Sequence, residues 1–344
     1  MVDCGPVSDD ICPNTGRQKP KKALVLSGGG SKGALQVGMA NRLFDDGFRP
    51  DFVAGVSVGA LNAFFLAQHR PDRLDALWRE IKSSGDVYRT RWFNVPLMLF
   101  GWQWGYPSIY AAGPIRRKIR RYVKATKPEH FKAELRIGAV ELGGGEFVGV
   151  DQTCPCLGRM LAGSMAIPIV FPPVAVEERK RRWYHKFLPK FLDRTGSSVD
   201  DFVGLYVDGC VRGRTPIAEA IKAGAEEVHI LLTSGLTLNE SPSDFRSILD
   251  IVQRTVEVIL HEKLVDDIKD VLIRNAFAQA TKTTGDPCRY REVKLYVYEP
   301  EDAVLQGMLD FDPEAIADCI DLGYDLAGAP KTSESLASWY DPWA

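Results

Sequence analysis

The pentapeptide Gly55-Val56-Ser57-Val58-Gly59 stands where a strand-like lead, Asp51-Phe52-Val53-Ala54, gives way to Ala60-Leu61-Asn62-Ala63-Phe64-Phe65-Leu66-Ala67, a run of good helix formers without a breaker. This G-x-S-x-G pattern constrains the fold more than anything else in the chain. It describes a sharp strand-to-helix turn in which flanking glycines permit crowded backbone and the serine hydroxyl is exposed. The helix behind such a turn aims its N-terminus at any anion that forms beside the serine. A tight turn with an incidental serine has the same pentapeptide, and the strand–turn–helix context favours a nucleophile.

One unit earlier, Lys22-Ala23-Leu24-Val25-Leu26-Ser27 reads as a short buried strand, followed by Gly28-Gly29-Gly30-Ser31-Lys32-Gly33 and a helical run that ends near Gly47. Gly28, Gly30 and Gly33 satisfy G-x-G-x-x-G, but Asp51 precedes the next strand, whereas a dinucleotide site wants an acidic residue at that strand's far end. A phosphate-binding P-loop needs G-K-[ST], and Lys32 is followed by Gly33. The third reading is an oxyanion hole of glycine N–H groups beside the nucleophile strand, which acyl transfer requires. The elbow favours it. Lys32 either adds positive charge there or is a solvated loop lysine.

A serine nucleophile needs a base. Leu205-Tyr206-Val207-Asp208-Gly209-Cys210-Val211 is β-rich and carries an Asp-Gly pair, which taken alone is most often a turn. A Ser–Asp–His order would need His229 or His261. His229 lies in an apolar strand-like run as a structural histidine, and His261 falls on the surface of a helix-like run. A dyad, with Asp208 taking the serine proton directly, demands a carboxylate of raised basicity.

Together, Gly28 to Gly33, the Gly55 to Gly59 elbow and Asp208-Gly209 resemble the three signature blocks of the patatin-like phospholipases. The small-residue run Gly163-Ser164-Met165-Ala166-Ile167-Pro168, leading to Phe171-Pro172-Pro173-Val174, resembles a fourth, and Pro216-Ile217-Ala218-Glu219-Ala220 and Gly323-Tyr324-Asp325 fit downstream. The resemblance covers roughly 21–330. It implies a three-layer α/β hydrolase fold with a mainly parallel central sheet flanked by helices. It also implies a Ser–Asp dyad cleaving acyl esters of lipids, with Ser57 as nucleophile, Asp208 as base and the backbone of Gly28, Gly29, Gly30, Ser31, Lys32 and Gly33 as oxyanion hole. Two positions depart from the family pattern: Cys210, where a Gly or Ala follows Asp-Gly, and Arg214, where a polar amide is common.

Composition agrees. The 344 residues are 45% hydrophobic and 26% charged, enough for one large core or two modest ones, and a net charge of −2 gives no nucleic-acid signal. Seven cysteines, odd in number and irregularly spaced, argue against a disulfide framework, and Cys154-Pro155-Cys156 lacks the two-residue gap of a zinc site. No cofactor or metal is expected. Neither a signal peptide nor a run of roughly 18 apolar residues is visible, so the expectation is a cytoplasmic protein, peripheral at a membrane at most.

The organisation expected is a flexible tail over 1–20, the catalytic domain over 21–330 and a polar tail over 331–344. Glu134 to Leu142 and Glu146 to Val150 read as a β-hairpin, and 244–280 as a helix with Ile248, Ile251, Val252, Thr255, Val256 and Ile259 on one face. Two segments stand outside the catalytic pattern. An aromatic cap falls within 88–112, followed by Arg116, Arg117, Lys118, Arg120, Arg121 and Lys124. A basic and aromatic insertion spans 177–203, where Arg179, Arg181, Arg182, Trp183 and Phe187 suit a lid or an anionic membrane surface. The partner expected is a lipid or acyl ester. Acyl transfer or thioester cleavage on the same dyad, a Rossmann-type nucleotide-binding protein and a silent lipid-binding regulator are the alternatives. The sequence yields no headgroup preference and no oligomeric state.

Overall fold

The computed structural model describes residues 22–90, 108–176, 203–213, 215–238, 248–284, 292–300 and 307–339. The chain opens with β1 (Lys22–Leu26), α1 (Gly33–Asp45), β2 (Phe52–Val56), α2 (Val58–Leu66) and α3 (Pro71–Arg79). A small hairpin of β3 (Arg89–Thr90) and β4 (Tyr110–Ala111) leads to α4 (Gly113–Ala125). Next come β5 (Glu134–Glu141), β6 (Phe147–Val150), α5 (Leu157–Ser164), β7 (Val174–Val176) and β8 (Gly204–Asp208). The last third holds α6 (Ile217–Lys222), β9 (Glu227–Leu231), α7 (Ile248–Thr284), β10 (Lys294–Tyr298), α8 (Pro313–Leu326), β11 (Lys331–Thr332) and α9 (Ser333–Trp339).

One sheet runs β11-β10-β9-β1-β2-β5-β8-β7, with β6 also on β5. It is mixed: parallel from β10 through β9, β1 and β2 to β5, and antiparallel at both flanks. Strand alternation splits the core in two. Leu24, Leu26 and Val53 pack under α1, α2, α3, α4, α5 and α8, while Ala23, Val25, Phe52 and Ala54 face α6, α7 and α9. The sheet is thus the middle of three layers. Central strands buried on both faces explain why β1 and β2 read as unbroken apolar runs.

Register places the site. Leu26 pairs with Gly55 and Val56 with Gly138, so the loops after β1 and β2 leave the sheet at one edge. The antiparallel β8 brings Asp208 opposite Ala139, next to Gly138. Ser57 and Asp208, 151 residues apart, meet above this point.

The expected β5–β6 hairpin forms, with Ile137 opposite Val150 and Val140 opposite Phe147. Three expectations are corrected. Residues 331–339 are not a polar tail: β11 pairs β10, Leu295 N–H donates to Ser333 Oγ, and Leu336 is fully buried. A partner strand for β10 and an apolar face to cover made order cheaper than solvation. On the long helix, Ile251 and Ile259 of the expected apolar face are not buried but 52% and 55% exposed, while Leu264, Ile268 and Val271 are buried. A 37-residue helix is about 55 Å long and outruns the sheet it packs on. His261, expected on the surface, is buried. Residues 1–20, Arg214, most of the aromatic cap, and Arg179, Arg181, Arg182, Trp183 and Phe187 lie outside the described residues.

Candidate active site

Ser57 adopts φ 55°, ψ −131°, a conformation that L-residues populate rarely, at the junction of β2 and α2. The turn is possible because Gly55 and Gly59 are bare: a Cβ on Gly55 would stand 2.2 Å from Gly59 O, and one on Gly59 2.5 Å from Leu26 O. Helix α2 is buried on all sides, so its packing holds the strained serine in place. Ser57 N–H donates to Ser164 Oγ at 2.9 Å, and that hydroxyl donates to Gly138 O at 2.5 Å. Helix α5 thereby locks the elbow to β5.

Ser57 Oγ donates to Asp208 Oδ2 at 2.7 Å. The other carboxylate oxygen accepts from Cys210 N–H at 2.9 Å. Asp208 is only 2% exposed, and this burial pushes its carboxyl up to about 6, against the opposing pull of the hydrogen bonds from Ser57 and Cys210. Gly209 follows because a Cβ there would stand 2.5 Å from Gly138 O. The residue type at 210 is accommodated by Gly28, whose missing Cβ would lie 2.2 Å from Cys210 Sγ and 2.9 Å from Ser57 Cβ.

No histidine intervenes between the two side chains. His229 Nδ1 and Nε2 are engaged by Tyr298 Oη at 2.8 Å and Glu227 Oε1 at 3.0 Å, its ring stacks on Tyr296, and burial holds its pKa below the usual value. Neither it nor His261 bonds to Ser57 or Asp208.

In the glycine loop, Ser31 N–H is taken by Met308 O at 2.9 Å and Lys32 N–H by Gly29 O at 3.3 Å, while Gly33 N–H turns back to Gly30 O and Ser31 O. Among the described residues nothing occupies the N–H groups of Gly29 and Gly30. Three of the six amides expected to serve as donors are therefore engaged within the loop and its neighbour. Met308 O also fills the space above Gly30 (φ 61°), 2.0 Å from where a Cβ would be, and leaves a pyrophosphate no seat there. Lys32 is neither solvated nor aimed at Ser57: its Nζ donates to Glu257 Oε1 at 3.2 Å.

Several positioning side chains escaped the sequence reading. Gln36 Nε2 donates to Ser27 O at 2.8 Å and Leu231 O at 3.0 Å. Asn62 Nδ2 donates to Gln36 Oε1 at 2.9 Å and Gly33 O at 3.0 Å, and Trp78 Nε1 donates to Asn62 Oδ1 at 3.0 Å. Thr233 Oγ1 holds Gly28 O at 2.6 Å. This buried network fixes the glycine loop against the elbow helix. Its sequence signal was faint: Gln36 and Asn62 are single amides flanked by apolar residues in their helices.

Beside Ser57 and Gly30 opens a cavity walled by Leu61, Leu77, Trp78, Ile115, Ile119 and Phe171. Its lining is almost wholly apolar, with Arg116, Lys118 and Asp86 among the exceptions. The described residues contain no cluster of His, Cys, Asp or Glu fit for a metal ion, and none of their helices is long and apolar enough to cross a membrane.

The model of the patatin-like phospholipase family matches residues 24–221 of the 344. Uncharacterized protein YqhO of Bacillus subtilis is 28% identical over 169 residues, covering 44% of this chain and 58% of that protein. Triacylglycerol lipase 4 of Saccharomyces cerevisiae is 35% identical over 71 residues, 21% of this chain but 8% of the lipase. The chain thus spans under two thirds of the length of either relative. Among solved structures, VipD from Legionella pneumophila superposes with a TM-score of 0.36 at 12% identity, covering 92% of this chain and 68% of VipD. Human GIVD cytosolic phospholipase A2 gives 0.34 at 11% identity, over 72% and 46% of the two chains.

Proposed function

From a chain that belongs to the patatin-like phospholipase family, we propose a lipid acyl hydrolase that works through a Ser57–Asp208 dyad. The observation that carries the reading is the direct 2.7 Å hydrogen bond from Ser57 Oγ to a buried carboxylate. Ser57 Oγ attacks the ester carbonyl carbon while its proton passes to Asp208 Oδ2. Gly29 and Gly30 N–H groups, with the α2 N-terminus, stabilise the oxyanion. Asp208 returns the proton to the leaving alkoxide, leaving an acyl-Ser57. It then takes a proton from water, which attacks the acyl-enzyme and restores both residues. Raised basicity suits Asp208 to each transfer. The apolar cavity beside Ser57 takes the acyl chain, and the reaction uses no metal or cofactor.

Labelling by a fluorophosphonate probe tests the assignment, with hydrolysis of a short-chain nitrophenyl ester as the turnover readout. Native protein labels and turns over, and Ser57→Ala does neither. Undiminished labelling of Ser57→Ala, or a native chain that never labels, sinks the reading.

A further inference from the structure

Helix Gly113–Ala125 carries Arg116, Arg117, Lys118, Arg120, Arg121 and Lys124 and no carboxylate. Arg117, Arg120, Arg121 and Lys124 recur at i, i+3, i+4 and i+7, so they form one stripe, and all four are exposed. Like charges at this spacing weaken a helix, and no acidic residue within it offsets them. The opposite stripe is apolar. Ile115 and Ile119 are buried and line the cavity beside Ser57, and Tyr122 stacks edge-on against Phe65. One helix is therefore both the wall of the cavity and a cationic surface.

A second feature belongs to the same cavity. Ile169 is 52% exposed with φ 70°, a region that a β-branched residue enters only under strain. Its neighbours Ile167 and Phe171 line the cavity, and Arg116 Nη2 donates to Pro172 O at 2.6 Å, tying this turn to the basic helix. Strain is thus spent on holding a large apolar side chain in water beside the cavity. Cations for an anionic surface and an apolar side chain for its hydrocarbon are the two components of interfacial attachment.

We propose that helix Gly113–Ala125 and the turn at Ile169 dock the protein on an anionic phospholipid bilayer, with the cavity beside Ser57 facing the lipid. This deepens the reading of the site as a lipid acyl hydrolase and names the surface from which it draws substrate.

The test is co-sedimentation with vesicles, made on the Ser57→Ala chain so that binding is read without turnover. Vesicles of phosphatidylcholine alone are compared with equimolar phosphatidylcholine and phosphatidylglycerol. Binding to the anionic vesicles exceeds binding to the neutral ones and falls with added salt. Arg117→Gln with Arg121→Gln and Lys124→Gln weakens it on the order of 100-fold. Arg117→Lys with Arg121→Lys retains it. Ile169→Asn, which suits the left-handed backbone, removes the salt-resistant fraction while raising the melting temperature. In the Ser57 background, the triple Gln variant hydrolyses a soluble short-chain ester at the native rate. Equal binding to both vesicles, or anionic binding unchanged by the triple substitution, overturns the proposal, as does retention on RNA or an acidic protein without vesicle binding. Failure of Ser57 labelling would instead count against the hydrolase reading and leave the docking result standing.

Discussion

Asp208 is 2% exposed, and burial lifts its carboxyl from 3.8 to about 6 although Ser57 and Cys210 hydrogen bonds hold it down. A folded-state pKa above the unfolded one means that the native state binds the proton more tightly. The fold is therefore favoured by protonation at low pH, loses that advantage as pH rises from about 4 to about 6, and carries the full penalty above it. At about 1.4 kcal/mol per pH unit the penalty is about 3 kcal/mol near neutrality. In the proposed mechanism the same ionised carboxylate is the base. Asp208→Asn consequently melts a few degrees above the native protein near pH 8, with the gap closing toward about pH 4, while turnover falls about 1,000-fold. Scanning calorimetry and ester hydrolysis across pH check both halves, and native kcat/KM declines about tenfold per pH unit below about 6. A native protein more stable than Asp208→Asn near pH 8 would contradict this account.

At the scale of elements, the site is an assembly of strand ends and helix starts. The stretch from β2 through Ser57 to α2 was legible because its determinants are local: an apolar run, two glycines and a helix-forming run, all within 17 residues. Ser164 was visible as a residue of a family block but not as a partner, because its hydrogen bond to Ser57 N–H spans 107 residues. Gln36 and Asn62 were lost among the apolar residues of α1 and α2, whose buried amides acquire meaning only when the two helices meet. Helix α4 is the corresponding case for specificity. Its Ile119, 2% exposed, faces the cavity. Ile119→Phe adds volume to that wall, so kcat/KM for long-chain esters drops about tenfold relative to short-chain esters. A chain-length series with nitrophenyl esters measures the ratio, and an unchanged ratio would move the acyl chain out of this cavity.

For the molecule as a whole, the sheet separates two cores, Ser57 and Asp208 sit at the ends of β2 and β8, and the last elements seal the second core. Leu336 is fully buried among Leu295, Val297 and their neighbours, and Leu295 N–H is held by Ser333 Oγ at 2.8 Å. Leu336→Ala therefore costs about 2–5 kcal/mol in urea unfolding, with the Ser57 site unaltered in the folded fraction. A loss below about 0.5 kcal/mol, the range of surface substitutions, would return 331–339 to the status of a tail. The polar look of that segment misled because two strand residues and one leucine suffice to dock it once β10 and its apolar neighbours are in place.

Sequence alone determined the local backbone: the elbow at Ser57, the glycine loop at Gly28 to Gly33 and the Asp208-Gly209 turn, since each depends on geometry that only a few residue types tolerate. It also determined the layered α/β class, because β1, β2 and the helices after them carry their periodicities within short windows. Only the tertiary structure decided what those pieces do to one another. Whether Asp208 reaches Ser57 directly depends on β8 running antiparallel beside β5, and its basicity depends on the neighbours that exclude water. Which glycine amides stay open depends on Met308, more than 270 residues along the chain. Distances, burial and hydrogen-bond competition are properties of approach in space, and a linear pattern does not contain them.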